Sequence, residues 1–156
     1  MSKRIFNQKP RGQLYGYRSG FEDRIAEELR NKGIEAAYEV LSLPFIQPEL
    51  QRSYTPDFFL PNGILIETKG QFTLEDRQKH KYIKASHPKL DIRFVFQNPN
   101  TKIRKGSPTS YAAWCEKQGF LYAAKSIPEG WLNEPEDKAR LDAVRKIAKF
   151  KKGTKP

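Results

Sequence analysis

Asp57, Glu67 and Lys69 stand inside "YTPDFFLPNGILIETKG", residues 54–70, a stretch that otherwise reads as buried strand. Their neighbours are Phe58, Phe59, Leu60, Ile64, Leu65 and Ile66. Burying an unpaired charge is costly, so two carboxylates and an amine in such a run need a reason. Adjacent carboxylates raise each other's proton affinity unless a cation lies between them. All-oxygen ligands with few fixed positions suit Mg²⁺ or Mn²⁺, which keep some water and take phosphate oxygens. A lysine nearby can hold an attacking water or offset negative charge in a transition state. The plainer alternative makes Glu67 and Lys69 a surface pair at a strand end and Asp57 a turn residue after Pro56. The apolar surroundings weigh against it.

Whether the two carboxylates meet depends on a turn. "LPNG" matches a type I turn with Pro61 and Asn62 central and Gly63 left-handed in a bulge. That loop sets Leu60 opposite Ile64, Phe59 opposite Leu65 and Asp57 opposite Glu67. A two-residue Asn-Gly loop would instead pair Asp57 with Thr68 and turn Glu67 to the other face. Pro61 is preset for the first central position of the type I turn, which favours the version in which they meet.

The flanking elements follow from periodicity and caps. Ser19 opens a helix in capping-box form with Glu22 at its third position; Phe21, Ile25 and Leu29 share a face, and Gly33 ends it after Lys32. The alternation of Ile34, Ala36, Tyr38 and Val40 predicts a strand. Residues 44–52, "PFIQPELQR", hold Pro44 and Pro48, which favour an extended bridge and hinder a tight hairpin. Thr73 caps a helix through about Ser86, with Pro88 beyond it. "DIRFVF" predicts a core strand, "NPNTKIRKGSP" a basic loop, Ser107-Pro108 the start of a helix through Gln118, and "FLYAA" a last strand. A final helix is expected from Glu136 to about Phe150, with Leu141, Val144 and Ala148 on one face. The order implies a mixed α/β fold, a central sheet flanked by helices. It divides into a basic arm over 1–18, a core over 19–135 containing the 44–52 bridge, and a basic helix and tail over 136–156.

The 156 residues suit one domain, and no apolar stretch is long enough to span a bilayer. The single cysteine, Cys115, excludes an internal disulfide framework, and a reducing, cytoplasmic setting is expected. Net charge is +11 and sits at the ends. Residues 1–18 carry Lys3, Arg4, Lys9, Arg11 and Arg18 with no acid; residues 136–156 carry eight Lys/Arg against three acids. Basic arms of this kind suit a polyanion, most often nucleic acid, although a solubilising tail has the same composition. Lys102, Arg104 and Lys105 form a loop patch suited to phosphate backbone. Tyr15 and Tyr17, beside Arg18, are candidates for stacking or phosphate contact. His80 and His87 lack metal-ligand spacing, and Trp114 and Cys115 read as packing.

"PD", nine residues, then "ETK" has the form of the PD-(D/E)XK nuclease signature. "RSGFED", "YTPDFFLPNGILIETKG", "DRQKHKYI", "HPKLDIRFVF", "TKIRKGSPTSYAAWCEKQGF" and "IPEGW", in that order, make residues 17–132 resemble the phage endonuclease I family of junction-resolving enzymes. The resemblance implies a restriction-enzyme-like core and a homodimeric, Mg²⁺-dependent nuclease that cuts four-way and other branched DNA by paired nicks. Mn²⁺ would be expected to substitute, with two ions per site. It implies Asp57 and Glu67 as main metal ligands, aided by the Thr68 carbonyl, with Lys69 beside the attacking water. Glu22, rather than the adjacent Asp23, would be the fourth catalytic residue and help hold a second metal, even though capping alone would explain it. The 44–52 bridge would be the segment across which subunits exchange elements, so that each site draws on both chains. The setting would be the host cytoplasm if the chain is phage-encoded. Two other functions fit the same charge pattern: a non-catalytic architectural protein that binds junctions, and a nuclease directed to a duplex sequence or a lesion.

Overall fold

The computed structural model describes residues 19–47 and 50–150. Lys3, Arg4, Lys9, Arg11, Tyr15, Tyr17, Arg18, Pro48 and the tail beyond Phe150 lie outside the described residues. The elements are α1 (Gly20–Asn31), β1 (Ala37–Tyr38), β2 (Leu41–Gln47), β3 (Leu50–Tyr54), β4 (Phe58–Phe59), β5 (Leu65–Lys69) and α2 (Leu74–Ser86). They continue with β6 (Ile92–Phe96), α3 (Tyr111–Gln118), β7 (Leu121–Ala124), α4 (Glu129–Leu132), α5 (Lys138–Arg145) and β8 (Lys149–Phe150).

The main sheet has the order β1-β4-β5-β6-β7. It is mixed: β1, β4 and β5 run antiparallel, while β5, β6 and β7 are parallel, with α2 and α3 in the crossovers. Both faces are covered, which is why β6 reads as an apolar run broken only by Arg93 and why Leu65 and Ile66 of β5 are both buried. Phe59, Leu65, Phe94 and Phe96 belong to one core with Ile83 of α2 and Trp114 of α3. Phe58, Ile66 and Val95 belong to the other, with Ile25 and Leu29 of α1. Successive residues thus feed opposite cores, as the period of two requires.

The central hairpin has the expected register. Phe59 pairs with Leu65 and Phe58 with Ile66. Gly63 has φ +98° and donates its N–H to Leu60 O at 2.9 Å, the left-handed place that the three-residue loop requires. Helix caps also fall where the sequence puts them. Ser19 accepts from the Glu22 N–H, and Thr73 with Asp76 forms a reciprocal capping box.

Four expectations need correction. The 34–40 strand is reduced to Ala37–Tyr38, because Glu39 takes φ +46° and breaks the extended path. The 44–52 segment is not an extended bridge in the single chain: β2 and β3 pair antiparallel from Leu43↔Tyr54 to Gln47↔Leu50. Pro44 is tolerated because β8 pairs only with Leu41 and Ser42, leaving β2 a partner on one side from there on. Leu41, Leu43 and Phe45 are buried, so the strand has an apolar face to place. Helix α3 starts at Tyr111 with Ser110 as its cap, not at Ser107. The intervening chain instead closes a loop through Ile103 N–H to Thr109 O (2.8 Å) and Tyr111 N–H to Thr101 O (2.9 Å). The helix expected over 136–150 stops at Arg145, and Lys149–Phe150 returns as β8 beside β2 in a second sheet of order β3-β2-β8. The short helix α4 has no counterpart in the sequence expectations.

Candidate active site

Asp57 and Glu67 approach each other at the end of the β4–β5 hairpin, and both are almost wholly buried, at 1% and 5% exposed. One Asp57 oxygen, Oδ2, accepts from the Thr68 N–H and from the Thr68 hydroxyl, each at 2.8 Å. Thr68 therefore touches Asp57 through its donors, a contact the sequence did not announce. Glu67 accepts from the Tyr54 hydroxyl at Oε2 (2.7 Å), and its Oε1 lies 3.5 Å from the Lys69 ammonium. Lys69 also faces Asp76 Oδ1 at 3.3 Å, so the helix-capping residue of α2 doubles as a partner of the lysine.

Glu22 reaches this site from the first turn of α1. A carboxylate oxygen from each of Glu22, Glu39 and Asp57 lies within 4.8 Å of the others. Glu22, not Asp23, is the acid of "FED" that joins the group. Its Oε2 accepts from the Tyr38 hydroxyl at 2.6 Å. Glu39 is the acid that sequence reasoning missed. Strand alternation places it opposite Tyr38, but its left-handed backbone redirects the chain, and its N–H donates to Asp57 O at 3.1 Å. An odd conformation of this kind in a non-glycine residue has no local sequence signal beyond the acid itself.

The electrostatics fit a cation-binding place. Burial pushes the Asp57 carboxyl well above the ordinary carboxylate range, and the charges of Glu67 and Glu22 push it further, against the two Thr68 hydrogen bonds. Burial also raises Glu67, opposed by Lys69 and Tyr54. Burial pulls Lys69 down, but Glu67 and Asp76 outweigh it, so the ammonium holds its proton above its ordinary value. A group of oxygen donors that repel one another, with no sulfur or imidazole among them, matches a hard divalent cation better than zinc or copper. The Glu22, Glu39 and Asp57 carboxylates are the ones whose oxygens gather closely enough to share such a cation, and Glu67 lies near enough for its charge to act on Asp57.

The other predicted residues lie elsewhere. Lys102, Arg104 and Lys105 are exposed on the 101–109 loop, with the Lys102 ammonium donating to Pro108 O at 3.0 Å. Arg77, buried in α2, donates to Phe72 O (2.6 Å) and Ile103 O (3.3 Å), tying this loop to the helix whose first turn carries Asp76. His80 is buried among Tyr54, Phe72, Phe94 and Phe120, so it offers no surface for phosphate. Burial holds its pKa well below the usual imidazole value. Trp114 and Cys115 are core residues as expected. No helix among the described residues is long and apolar enough to cross a membrane.

With this geometry in place, the comparisons with known proteins converge. The chain is 49% identical over 139 residues to "Endodeoxyribonuclease 1" of Enterobacteria phage T3, covering 89% of each chain. It is 47% identical over 130 residues to "Endonuclease I" of Escherichia phage T7, covering 83% of this chain and 87% of that one. The family described as phage endonuclease I matches residues 1–153, and the chain belongs to that family.

Proposed function

We propose that this chain, a DNA-cleaving hydrolase by family, is a metal-dependent, structure-selective endonuclease that resolves four-way junctions and other branched DNA by paired phosphodiester hydrolysis. The observation that carries the reading is the convergence of Asp57, Glu67 and Lys69 at one end of a buried hairpin, with Glu22 brought alongside from α1. Asp57, Glu67, Glu22 and the Thr68 carbonyl would hold Mg²⁺, or Mn²⁺ in its place, as up to two ions. A divalent cation, when bound, stabilises the attacking and leaving oxygens of an in-line displacement. Lys69 orients the attacking water and offsets charge on the phosphate. Lys102, Arg104 and Lys105, with Lys3, Arg4, Lys9, Arg11 and Arg18 of the arm, contact phosphates, so affinity falls steeply with salt. The working form is a homodimer in the host cytoplasm whose two basic surfaces select the branched shape.

The test is cleavage of a radiolabelled four-way junction and its matched linear duplex, with Mg²⁺ or EDTA, by the parent chain and Glu67→Ala. We expect paired nicks in the junction alone, dependent on the cation and lost in the variant. Binding without cleavage would leave an architectural protein. Equal cutting of the linear duplex would leave a nuclease directed at duplex sequence or lesions.

A further inference from the structure

We infer that Tyr38 and Tyr54 are positioning residues, each locking one carboxylate of the site so that its second oxygen faces the cation. The two contacts match in kind. The Tyr38 hydroxyl donates to Glu22 Oε2 at 2.6 Å, and the Tyr54 hydroxyl donates to Glu67 Oε2 at 2.7 Å. A neutral hydroxyl donating to a carboxylate makes a short, charge-assisted bond, and it fixes the rotamer of the acid as well as one of its lone pairs. In Glu67 the other oxygen, Oε1, is the one beside Lys69, so the tyrosine leaves the chemically used side of the carboxylate in place. Partners of this kind orient metal ligands, and losing one costs metal affinity.

Each tyrosine is itself held by packing. Tyr54 is fully buried, its ring edge-on to His80 at 5.1 Å and beneath the Lys79 ammonium at 5.3 Å. Tyr38 lies against Phe58 at 5.4 Å. The chain order adds a second argument. Tyr38 and Glu22 both precede β2, whereas Tyr54 closes β3 and Glu67 follows it. Each tyrosine therefore stays with its own carboxylate whether the site closes within one chain or is shared between two.

The inference rests on the metal-dependent reading above, and the experiment separates the two. Tyr38→Phe and Tyr54→Phe remove only the hydroxyls; Tyr122→Phe removes the same group from the exposed Tyr122–Glu116 pair as a control. Mn²⁺ binding to the whole chain without DNA is followed by electron paramagnetic resonance, beside circular dichroism and junction affinity in EDTA. We expect the Mn²⁺ dissociation constant to rise about 10- to 100-fold in each site variant. Helical signal and junction affinity should stay as in the parent, and the control should not change. If Tyr54→Phe fails to fold, Tyr38→Phe, on the half-buried residue, carries the test. Mn²⁺ affinities within about twofold of the parent in the folded variants would overturn the inference alone. A parent chain that binds no Mn²⁺ and cuts in EDTA would overturn the metal-dependent reading and the inference with it.

Discussion

Asp57 makes the folded chain less stable than it need be, and the cost should be visible as a pH dependence. Its carboxyl binds a proton more readily folded than unfolded, because burial and the charges of Glu67 and Glu22 oppose ionisation. The folded state therefore takes up more protons between the unfolded value, about 4, and the raised folded value. In that window stability grows as pH falls, and above the folded value the full penalty remains. His80 has the opposite sign: neutral when folded, it makes stability fall as pH drops below about 6.5. The difference between the parent chain and Asp57→Asn isolates the carboxylate. In EDTA at neutral pH, Asp57→Asn should melt several degrees higher, each 1 kcal/mol being worth roughly 2–4 °C in a chain of this size. The gap should narrow as pH is lowered. Adding Mn²⁺ should raise the melting temperature of the parent and not of the variant. Thermal melts across a pH series check all three, and a variant less stable than the parent in EDTA would show that Asp57 is not under electrostatic strain.

At the level of elements, what holds the site is a hairpin turn clamped by the C-terminal segment. The Asn62 amide donates to Trp131 O (2.9 Å) and Glu134 O (3.1 Å). Arg93 and Arg140 share Asp91 and Glu134, with Arg93 buried and paired to Asp91 at 2.7 Å. Their hydrogen bonds hold Glu134 down to about 2. A Cβ on Gly63 would lie 2.8 Å from Arg140 Cβ, besides sitting at φ +98°. Gly33 has φ +70° with nothing within 4 Å, which makes it the control. Gly33→Ala should lose only the left-handed backbone cost, roughly 1–2 kcal/mol, and Gly63→Ala distinctly more. Urea denaturation of the two measures the clamp as their difference. The Gly63 turn was legible in the sequence because it is encoded locally, by Pro61, Asn62 and Gly63 in succession. The same holds for the Ser19 and Thr73 caps and for the apolar run of β6. The β2–β3 hairpin was not legible, since two prolines argue against it and only the buried face of Leu41, Leu43 and Phe45 argues for it. Pairing of β8 with β2 joins segments about a hundred residues apart, for which a local pattern holds no signal. In the site, Asp57, Glu67 and Lys69 were legible because charge inside an apolar run is conspicuous. Glu39, Tyr38 and Tyr54 were not, because an acid and two aromatics in strand-like segments look ordinary until the backbone brings them together.

For the whole molecule, the proposed homodimer raises the question of which copy of the chain supplies Glu22. Within one chain, β2 folds back on β3, and Glu22 meets Asp57 of the same copy. Glu22 precedes that hairpin, whereas Asp57, Glu67 and Lys69 follow it. Separating β2 from β3 of the same chain would let two copies exchange everything up to Gln47 while keeping the same contacts, the usual low-cost route to a swapped dimer. Mixing variants distinguishes the forms. If sites are shared, a dimer of one Glu22→Ala chain and one Asp57→Ala chain has one intact site and one doubly damaged site. If each chain closes its own site, both sites in every mixture are damaged. We expect that the two inactive variants, unfolded together and refolded, recover nicking of a four-way junction on a single strand per dimer. Random pairing makes about half of the dimers mixed, each with one of its two sites intact, so nicking should approach about a quarter of the parent's, with sedimentation confirming the dimer. Dimers that form normally and recover nothing would place Glu22 and Asp57 of one chain in one site, and exchange across residues 44–52 would be ruled out.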